Sequence, residues 1–227
     1  MTLFREQKGI RKRKSGYRPI GTFYVIASEG TETEPIYFKY LQKYVSEKRE
    51  LNEVIKIEHL ERQETASSPH HVLKQLDKYK KKYIIDDNDE LWLLIDRDRN
   101  TIQNVSDIEQ KCKQKKYEFC LTSPCFELWL LLHLQNINDY SDAEIAFLAK
   151  NDKVNKNRTY IEKEVSDKMV ALGSGYSKSN VNMAIFFPKI EEAIRQAYSL
   201  NLHDKWAFDS FCTRIHVLLG KILQYSI

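Results

Sequence analysis

Apolar and polar residues follow one another along the chain in blocks that predict strands and helices in turn. Short runs rich in β-branched, aromatic or leucine residues predict four strands, at residues 22–27, 54–60, 91–95 and 117–121. The run at 91–95 is apolar on both faces, which is typical of a central strand. Stretches with apolar residues three and four positions apart separate the runs and predict helices. Strands that alternate with helices predict an α/β fold with a parallel sheet covered on both sides.

The predicted helices begin at recognisable signals. The first starts at about Pro35, with Thr33 as its N-cap, and the second opens at residues 67–69. A third spans residues 102–115, and a fourth runs from 123–124 to about 134. Each follows one of the predicted strands, as a parallel sheet requires.

The pattern changes after residue 135. Ser141 and Glu144 form a capping box that opens a short helix. The last predicted helix has an apolar stripe, formed by Trp206, Phe208, Phe211, Ile215, Leu218, Leu219 and Ile222. We therefore predict an α/β core at residues 19–135 and a helical C-terminal region at 136–227 that packs on it.

Positive charge is concentrated at the N-terminus. Residues 1–18 hold seven basic residues and one acidic residue, a net charge of +6, whereas the whole chain carries +4. The remainder therefore sums to −2, which excludes a uniformly basic nucleic-acid binder. We predict a mobile basic arm that contacts phosphate without reading sequence and brings it close to acidic residues of the core. The candidate contacts are Arg11, Lys12, Arg13 and Lys14. A solubilising or partner-docking tail is the alternative.

Other broad classes are disfavoured by composition. The chain is 42% hydrophobic and 30% charged, which is typical of a globular protein rather than a disordered one. No apolar run approaches the roughly 18 residues that span a membrane, and the basic N-terminus lacks the apolar segment of a secretory signal. The four cysteines form no C-x-x-C pair, so we expect reduced thiols and a cytoplasmic protein.

Acidic residues follow the predicted strands. Glu29, with Glu32 and Glu34 behind it, follows the first strand, Asp96 and Asp98 follow the third, and Ser123 and Glu127 follow the fourth. Because ligands of an open parallel sheet bind at the carboxyl ends of its strands, these residues favour a Mg²⁺ site and phosphodiester chemistry. Ordinary alternatives exist, since Glu34 can complement a helix dipole and Glu29 can belong to a turn.

Glu127 interrupts a helix that is otherwise apolar nearly all round and therefore buried. A buried carboxylate needs a partner. The sequence leaves two possibilities open, a catalytic or metal-binding role and a structural ion pair.

Three segments together resemble the RloB-like family, which is grouped with Toprim-containing proteins. They are S-E-G-T-E-T-E-P-I-Y-F at residues 28–38, L-I-D-R-D at 94–98 and S-P-C-F-E-L-W-L-L-L-H at 123–133. The resemblance implies a Toprim core, a small Rossmann-like parallel sheet flanked by helices. It implies that Glu29, Asp96 and Asp98 are catalytic and hold Mg²⁺ or Mn²⁺. By similarity to OLD-type Toprim nucleases, Glu34, Ser123 and Glu127 complete a one- or two-metal site.

The resemblance also implies a function. We expect a nuclease that cleaves DNA or RNA such as tRNA, acts in anti-phage defence by abortive infection, and is controlled by an ABC- or SMC-like ATPase encoded nearby. A homo-oligomer is possible. Arg97 and Lys178 are further candidate phosphate contacts, although an ordinary surface lysine is the alternative for Lys178.

Two features depart from the family pattern. Residues 208–219 lack an Asn-Pro-Ser-like segment, and no Asn precedes Pro124. Neither departure touches a proposed metal ligand. The leading alternative function is a non-catalytic Toprim-shaped module that binds or regulates a partner ATPase, and nucleotidyl transfer is a third.

Overall fold

Four parallel strands form the centre of the computed structural model, which describes residues 7–8, 21–48, 55–61, 68–98, 100–202 and 211–225. These strands are β1 (Thr22–Ser28), β2 (Ile55–Leu60), β3 (Glu90–Asp96) and β4 (Glu118–Ser123). A hairpin of β5 (Tyr176–Ser177) and β6 (Asn180–Val181) stands apart, and β7 (Cys212–Thr213) joins the main sheet antiparallel to β4. The order β2-β1-β3-β4-β7 confirms the predicted Rossmann-like α/β fold, with β3 at its centre.

The register of the strands brings three strand ends together. Ser28 of β1 lies opposite Leu94 of β3, and Asp96 of β3 lies opposite Thr122 of β4. The pairing continues past the strands, since the Glu29 N–H donates to the Leu94 carbonyl oxygen at 3.1 Å. We call this end of the sheet, where Glu29, Asp96 and Ser123 lie, the carboxyl edge.

Eight α-helices lie within the described ranges. They are α1 (Thr33–Glu47), α2 (Pro69–Lys82), α3 (Ile102–Lys115), α4 (Glu127–Leu134), α5 (Asp142–Lys150), α6 (Tyr160–Ala171), α7 (Ile190–Leu202) and α8 (Ile215–Leu223). Short 3₁₀ helices occur at Ile137–Asp139, Met183–Ile185 and Phe187–Lys189. None of the helices in this part of the chain is long and apolar enough to cross a membrane.

Two hydrophobic cores cover the two faces of the sheet. Alternate residues of a strand point to opposite faces, so Val25 packs with α2 and α3, whereas Ile26 packs with α1, α4, α7 and α8. Helix α4 lies deepest because it contacts α6 and α7 as well as the sheet. That position explains why Leu128 to Leu132 are all fully buried and why this helix has no polar face.

Two predicted helix starts are wrong. Helix α1 begins at Thr33 rather than near Pro35, and its N-cap residue is Glu32. The Thr33 hydroxyl does not cap the helix but donates to the Lys178 carbonyl oxygen at 3.4 Å. Helix α4 begins at Glu127, because Ser123 still belongs to β4 and pairs with Cys212. The capping box of Ser141 and Glu144 is confirmed.

The C-terminal segment is less helical than its apolar spacing predicts. Helix α8 begins only at Ile215, and Phe211 precedes a strand instead of lying in the helix, while Trp206 and Phe208 lie outside the described residues. The reason is tertiary. The hydroxyls of Thr122 and Thr213, both buried, form a hydrogen bond at 3.0 Å that joins β7 to the sheet.

Two residues of the basic arm are described, and both contact the end of α2. Gln7 pairs with Tyr83 in an antiparallel bridge, and the Lys8 N–H donates to the Lys82 carbonyl oxygen at 2.8 Å. Helix α2 returns antiparallel to the strands, so its last residues lie near the start of β3, far from the carboxyl edge. The arm's mobility stays a prediction for its other residues, and its candidate contacts Arg11 to Lys14 lie outside the described ranges.

A double-mutant cycle tests the docking of β7. Thr213→Val leaves the Thr122 hydroxyl buried without this partner, and we expect a loss of about 1–3 kcal/mol in the free energy of unfolding. The double variant Thr122→Val/Thr213→Val should recover part of that loss, because both hydroxyls are then removed, whereas the Ile215 N–H still lacks its bond to the Thr213 hydroxyl oxygen at 3.4 Å. Urea denaturation measures both quantities. Additive losses in the double variant would contradict the hydrogen bond.

Candidate active site

Five carboxylates converge at the carboxyl edge, and Asp96 lies at their centre. Burial raises the pKa of the Asp96 carboxyl group well above its ordinary value. The surrounding carboxylates raise it further, in the order Glu34, Asp98, Glu127 and Glu29. These are the five acids that the resemblance assigned to the metal site, and we call them the acidic cluster. Ser123 lies at the same edge, one residue beyond the partner of Asp96 in β4.

Different elements supply the members of the acidic cluster. Glu29 directly follows β1, and Asp96 ends β3 with Asp98 two residues beyond it. Glu34 lies in the first turn of α1, and Glu127 is the first residue of α4. The helix starts favour these two acids, since the N-terminal end of a helix carries partial positive charge.

Glu34 reaches the cluster across Gly30. A Cβ atom added at Gly30 would overlap the Glu34 carboxyl group. The requirement for glycine is therefore one of space at this position. The side chain of Glu34 is buried, whereas that of Glu32 is exposed to solvent.

Asn100 holds Glu29 in place and was missed by sequence reasoning. Its Nδ2 donates to Glu29 Oε2 at 3.0 Å and to the Asp96 carbonyl oxygen at 2.7 Å, so one buried amide links the ends of β1 and β3. The guanidinium of Arg97 donates to the Asn100 carbonyl oxygen. The available signal was an amide residue close behind the Asp-x-Asp pair.

Glu127 both belongs to the acidic cluster and forms an ion pair. Lys178 Nζ lies 3.1 Å from Glu127 Oε1 and 2.5 Å from Glu162 Oε1. Burial would lower the pKa of Lys178, but Glu127 and Glu162 raise it above its ordinary value, so the lysine is charged at neutral pH. Its side chain is only one third exposed, so Lys178 is not an ordinary surface lysine.

The β5–β6 hairpin delivers this lysine to the cluster. Lys178 lies in the turn between the two strands, and Tyr176 in β5 places its hydroxyl 3.4 Å from Glu127 Oε1. Glu162 belongs to the first turn of α6, where its carboxylate also accepts from the Thr159 N–H at 3.0 Å. Neither Tyr176 nor Glu162 was identified from the sequence, since both lie far along the chain from the acidic motifs.

His59 also lies at the carboxyl edge. Its Nε2 and the Oγ of buried Ser28 are 2.8 Å apart and share a hydrogen bond, and its ring stacks on Phe38 at 5.4 Å between centroids. Burial lowers the pKa of His59 to about 4, so the ring is neutral at pH 7. This contact fixes the end of β1 immediately before Glu29.

The donor set fits a hard divalent cation in its chemistry. Carboxylate and hydroxyl oxygens are the ligands that Mg²⁺ prefers. Across the described ranges, however, no group of three or more His, Cys, Asp or Glu side chains is arranged to hold a metal ion. In the described structure the carboxyl groups are not gathered around a common centre, and Glu127 Oε1 contacts Lys178.

Comparison with known proteins identifies a family. A family model described as RloB-like protein matches residues 24–222, which covers most of the chain and all members of the acidic cluster. No curated protein and no solved structure matches.

Asp96→Asn tests the repulsion within the acidic cluster. Because the pKa of Asp96 is higher in the folded than in the unfolded state, the folded state binds more protons, and the free energy of unfolding should fall as pH rises above about 4. In the Asp96→Asn variant this decrease of the free energy of unfolding with pH should disappear. The variant should also be more stable than wild type at pH 7 in the presence of a chelator. Urea denaturation at pH 5 and pH 8 measures it, with Glu32→Gln as the control. Equal pH dependence of Asp96→Asn and wild type would contradict the arrangement.

Gly30→Ala tests the packing of Glu34 against the glycine. The added methyl group must displace the Glu34 carboxyl group, which is the end of a flexible side chain, and we expect the free energy of unfolding to fall by about 1 kcal/mol. Removing that carboxyl group with Glu34→Ala should largely relieve the effect in the double variant. A Gly30→Ala protein as stable as wild type would show that Glu34 does not need this position.

Proposed function

The chain belongs to the RloB-like protein family, and from the acidic cluster we propose that it is a metal-dependent nuclease of the Toprim type, which hydrolyses phosphodiester bonds in DNA or RNA. The observation that carries the proposal is the convergence of four carboxylates on Asp96 at the carboxyl edge. In open parallel sheets this edge is where ligands bind.

The energetic argument supports a cationic ligand. Like charges a few ångströms apart repel by a few kcal/mol at the effective dielectric of a protein surface. Glu29, Glu34 and Glu127 are buried and Asp96 is half-buried, so salt and water screen most of this repulsion only weakly. A divalent cation that binds at such a site offsets the repulsion, because its positive charge attracts all of the surrounding carboxylates. Cation binding is the usual reason for such a cluster.

Six residues would hold Mg²⁺ or Mn²⁺ in this proposal: Glu29, Glu34, Asp96, Asp98, Ser123 and Glu127. When bound, a divalent cation supplies neutralisation of phosphate charge and a water of lowered pKa. The remaining roles belong to the chain's own residues. Asn100 orients the Glu29 carboxylate, and Lys178 is a charged donor that can exchange its contact with Glu127 for a phosphate oxygen. Glu162 keeps Lys178 nearby during such an exchange.

A second candidate function is a non-catalytic module that binds or regulates an ATPase. Two observations favour it. The described residues contain no ready-made group of three metal ligands, and Glu127 is already paired with Lys178. In this alternative the acidic cluster is a surface for basic side chains of a partner, and metal has no effect.

The biological role that we propose follows from the resemblance. The nuclease would act as an anti-phage effector in abortive infection, under the control of an ABC- or SMC-like ATPase encoded nearby. Restraint by a partner suits an enzyme whose indiscriminate activity would harm its own cell.

Metal binding is the first test. We expect Mg²⁺ or Mn²⁺ at 100 times the dissociation constant to stabilise the wild-type protein by about 2.7 kcal/mol, measured by thermal denaturation. Isothermal titration calorimetry should detect the binding of the metal directly. Glu29→Gln and Asp96→Asn should lose the stabilisation, and Glu32→Gln should keep it. The metal-loaded wild-type protein should cleave plasmid DNA or total RNA. No metal response together with no cleavage would refute the nuclease and favour the non-catalytic module.

Toxicity in cells is the second test. Expressed with its neighbouring ATPase, the wild-type protein should reduce growth, whereas Glu29→Gln and Asp96→Asn should not, because both remove a proposed metal ligand. Immunoblotting checks that the three proteins accumulate equally. Equal toxicity of wild type and variants, or none in any of them, would refute the effector role.

A further inference from the structure

Helix α2 presents an unusual concentration of lysines. It carries five, Lys74, Lys78, Lys80, Lys81 and Lys82, against a single aspartate, and all five are exposed. We call these residues together with Lys8 the lysine face. Residues 19–227 carry a net charge of −2, so acidic residues elsewhere must outnumber the lysines of this surface. The acidic cluster supplies some of these negative charges. Charge is therefore segregated within the fold.

Contacts draw further basic groups to the lysine face. Lys8 Nζ donates to the Lys80 carbonyl oxygen at 2.8 Å, and Lys80 Nζ donates to that of Lys115 in α3 at 3.2 Å. At the other end of α2, Lys111 Nζ of α3 lies 3.5 Å from His70 Nδ1, four residues before Lys74. The lone aspartate of α2, Asp77, is paired with Lys115 at 3.0 Å.

The helix dipole explains only part of this arrangement. Cations in the last turn of a helix are stabilised by its partial negative charge, and this accounts for Lys80, Lys81 and Lys82. It does not account for Lys74 in the middle of α2, nor for the approach of Lys8 from the arm. A ligand that is itself negatively charged explains all of them.

The lack of exposed apolar side chains on α2 limits the kinds of partner that the lysine face can bind. Among the described residues the large exposed hydrophobic side chains are Ile102, Phe147, Val154, Val170, Leu172 and Tyr198. None belongs to α2, and Ile102 is the first residue of α3, at the opposite end from Lys115. Helices that enter a membrane surface and protein interfaces with hot spots both need apolar anchors. Contacts to a phosphate backbone need only positive charge.

From these observations we propose that the lysine face binds the phosphate backbone of duplex nucleic acid, a proposal that rests on the proposed nuclease function for its class of substrate. Lys74, Lys78 and Lys81 are spaced i, i+4 and i+7, so they lie on one side of α2 and extend along about 10 Å of its length. Binding at such a surface is independent of sequence.

The placement separates binding from chemistry. The strands of the sheet hold six or seven residues, so the end of α2 and the acidic cluster are about 20 Å apart. That distance corresponds to about six base pairs at 3.4 Å per pair. The described part of the arm belongs to the lysine face, so it holds substrate at this distance instead of carrying phosphate to the acids.

The test is binding of a fluorescein-labelled 30-base-pair duplex, measured by anisotropy in EDTA so that no cleavage occurs. The triple variant Lys74→Gln/Lys78→Gln/Lys81→Gln should bind at least tenfold more weakly than wild type at 0.1 M salt, and the slope of log K against log salt should fall by about three. The matched control Lys39→Gln/Lys43→Gln/Lys48→Gln removes the same charge from two exposed positions of α1 and from its exposed C-cap residue, on the other face of the sheet, and should stay within twofold of wild type.

Three other outcomes overturn the proposal. Equal weakening in the two triple variants would show a net-charge effect, and unchanged binding in the α2 variant would place the contact elsewhere. Loss of binding to phosphatidylserine vesicles without loss of duplex binding would assign the lysine face to a membrane. Melting temperatures of both variants check that they fold. Duplex binding in EDTA by a protein without nuclease activity would refute the proposed function alone.

Discussion

Mutual repulsion among the carboxylates at the carboxyl edge is the constraint on which the surrounding structure depends. Burial and four neighbouring acids raise the pKa of Asp96, so the site is under electrostatic tension as it stands. The fold opposes this tension with specific contacts. The Asn100 amide holds Glu29, the Lys178 ammonium holds Glu127, and the absence of a Cβ at Gly30 leaves room for Glu34. Each contact comes from a different part of the chain.

The C-terminal region is part of this solution. The turn between β5 and β6 brings Lys178 to Glu127, and Glu162 of α6 holds the lysine from the other side. The same region supplies β7, which extends the sheet beyond β4. A boundary near residue 135 therefore marks a change of pattern along the chain, while the acidic cluster depends on residues from both sides of it.

Acidic and basic side chains are concentrated at opposite ends of the sheet. Acids lie where the parallel strands end, and lysines of α2 extend to the opposite end of the sheet, where Lys8 joins them. The strands and helices between them keep the end of α2 about 20 Å from the acidic cluster. The net charge of the chain does not show this arrangement, because the acidic and basic side chains nearly cancel when their charges are added.

The sequence alone determined the alternation of strands and helices, the central position of the apolar run in β3, and the residues of the acidic cluster. The first two follow from local periodicity, and the acids follow from the rule that parallel strands end at a common edge together with the family resemblance, which includes Glu34 and not Glu32. Only the tertiary structure decided that Asn100, Lys178 and Glu162 support the cluster, that residues 212–213 form a strand, and that Gln7 and Lys8 lie at the end of α2. These contacts join residues up to 91 positions apart. A local sequence pattern reflects the conformation that a residue favours next to its sequence neighbours. The partner of a buried charge or of a short strand depends instead on which distant residue the folded chain places beside it.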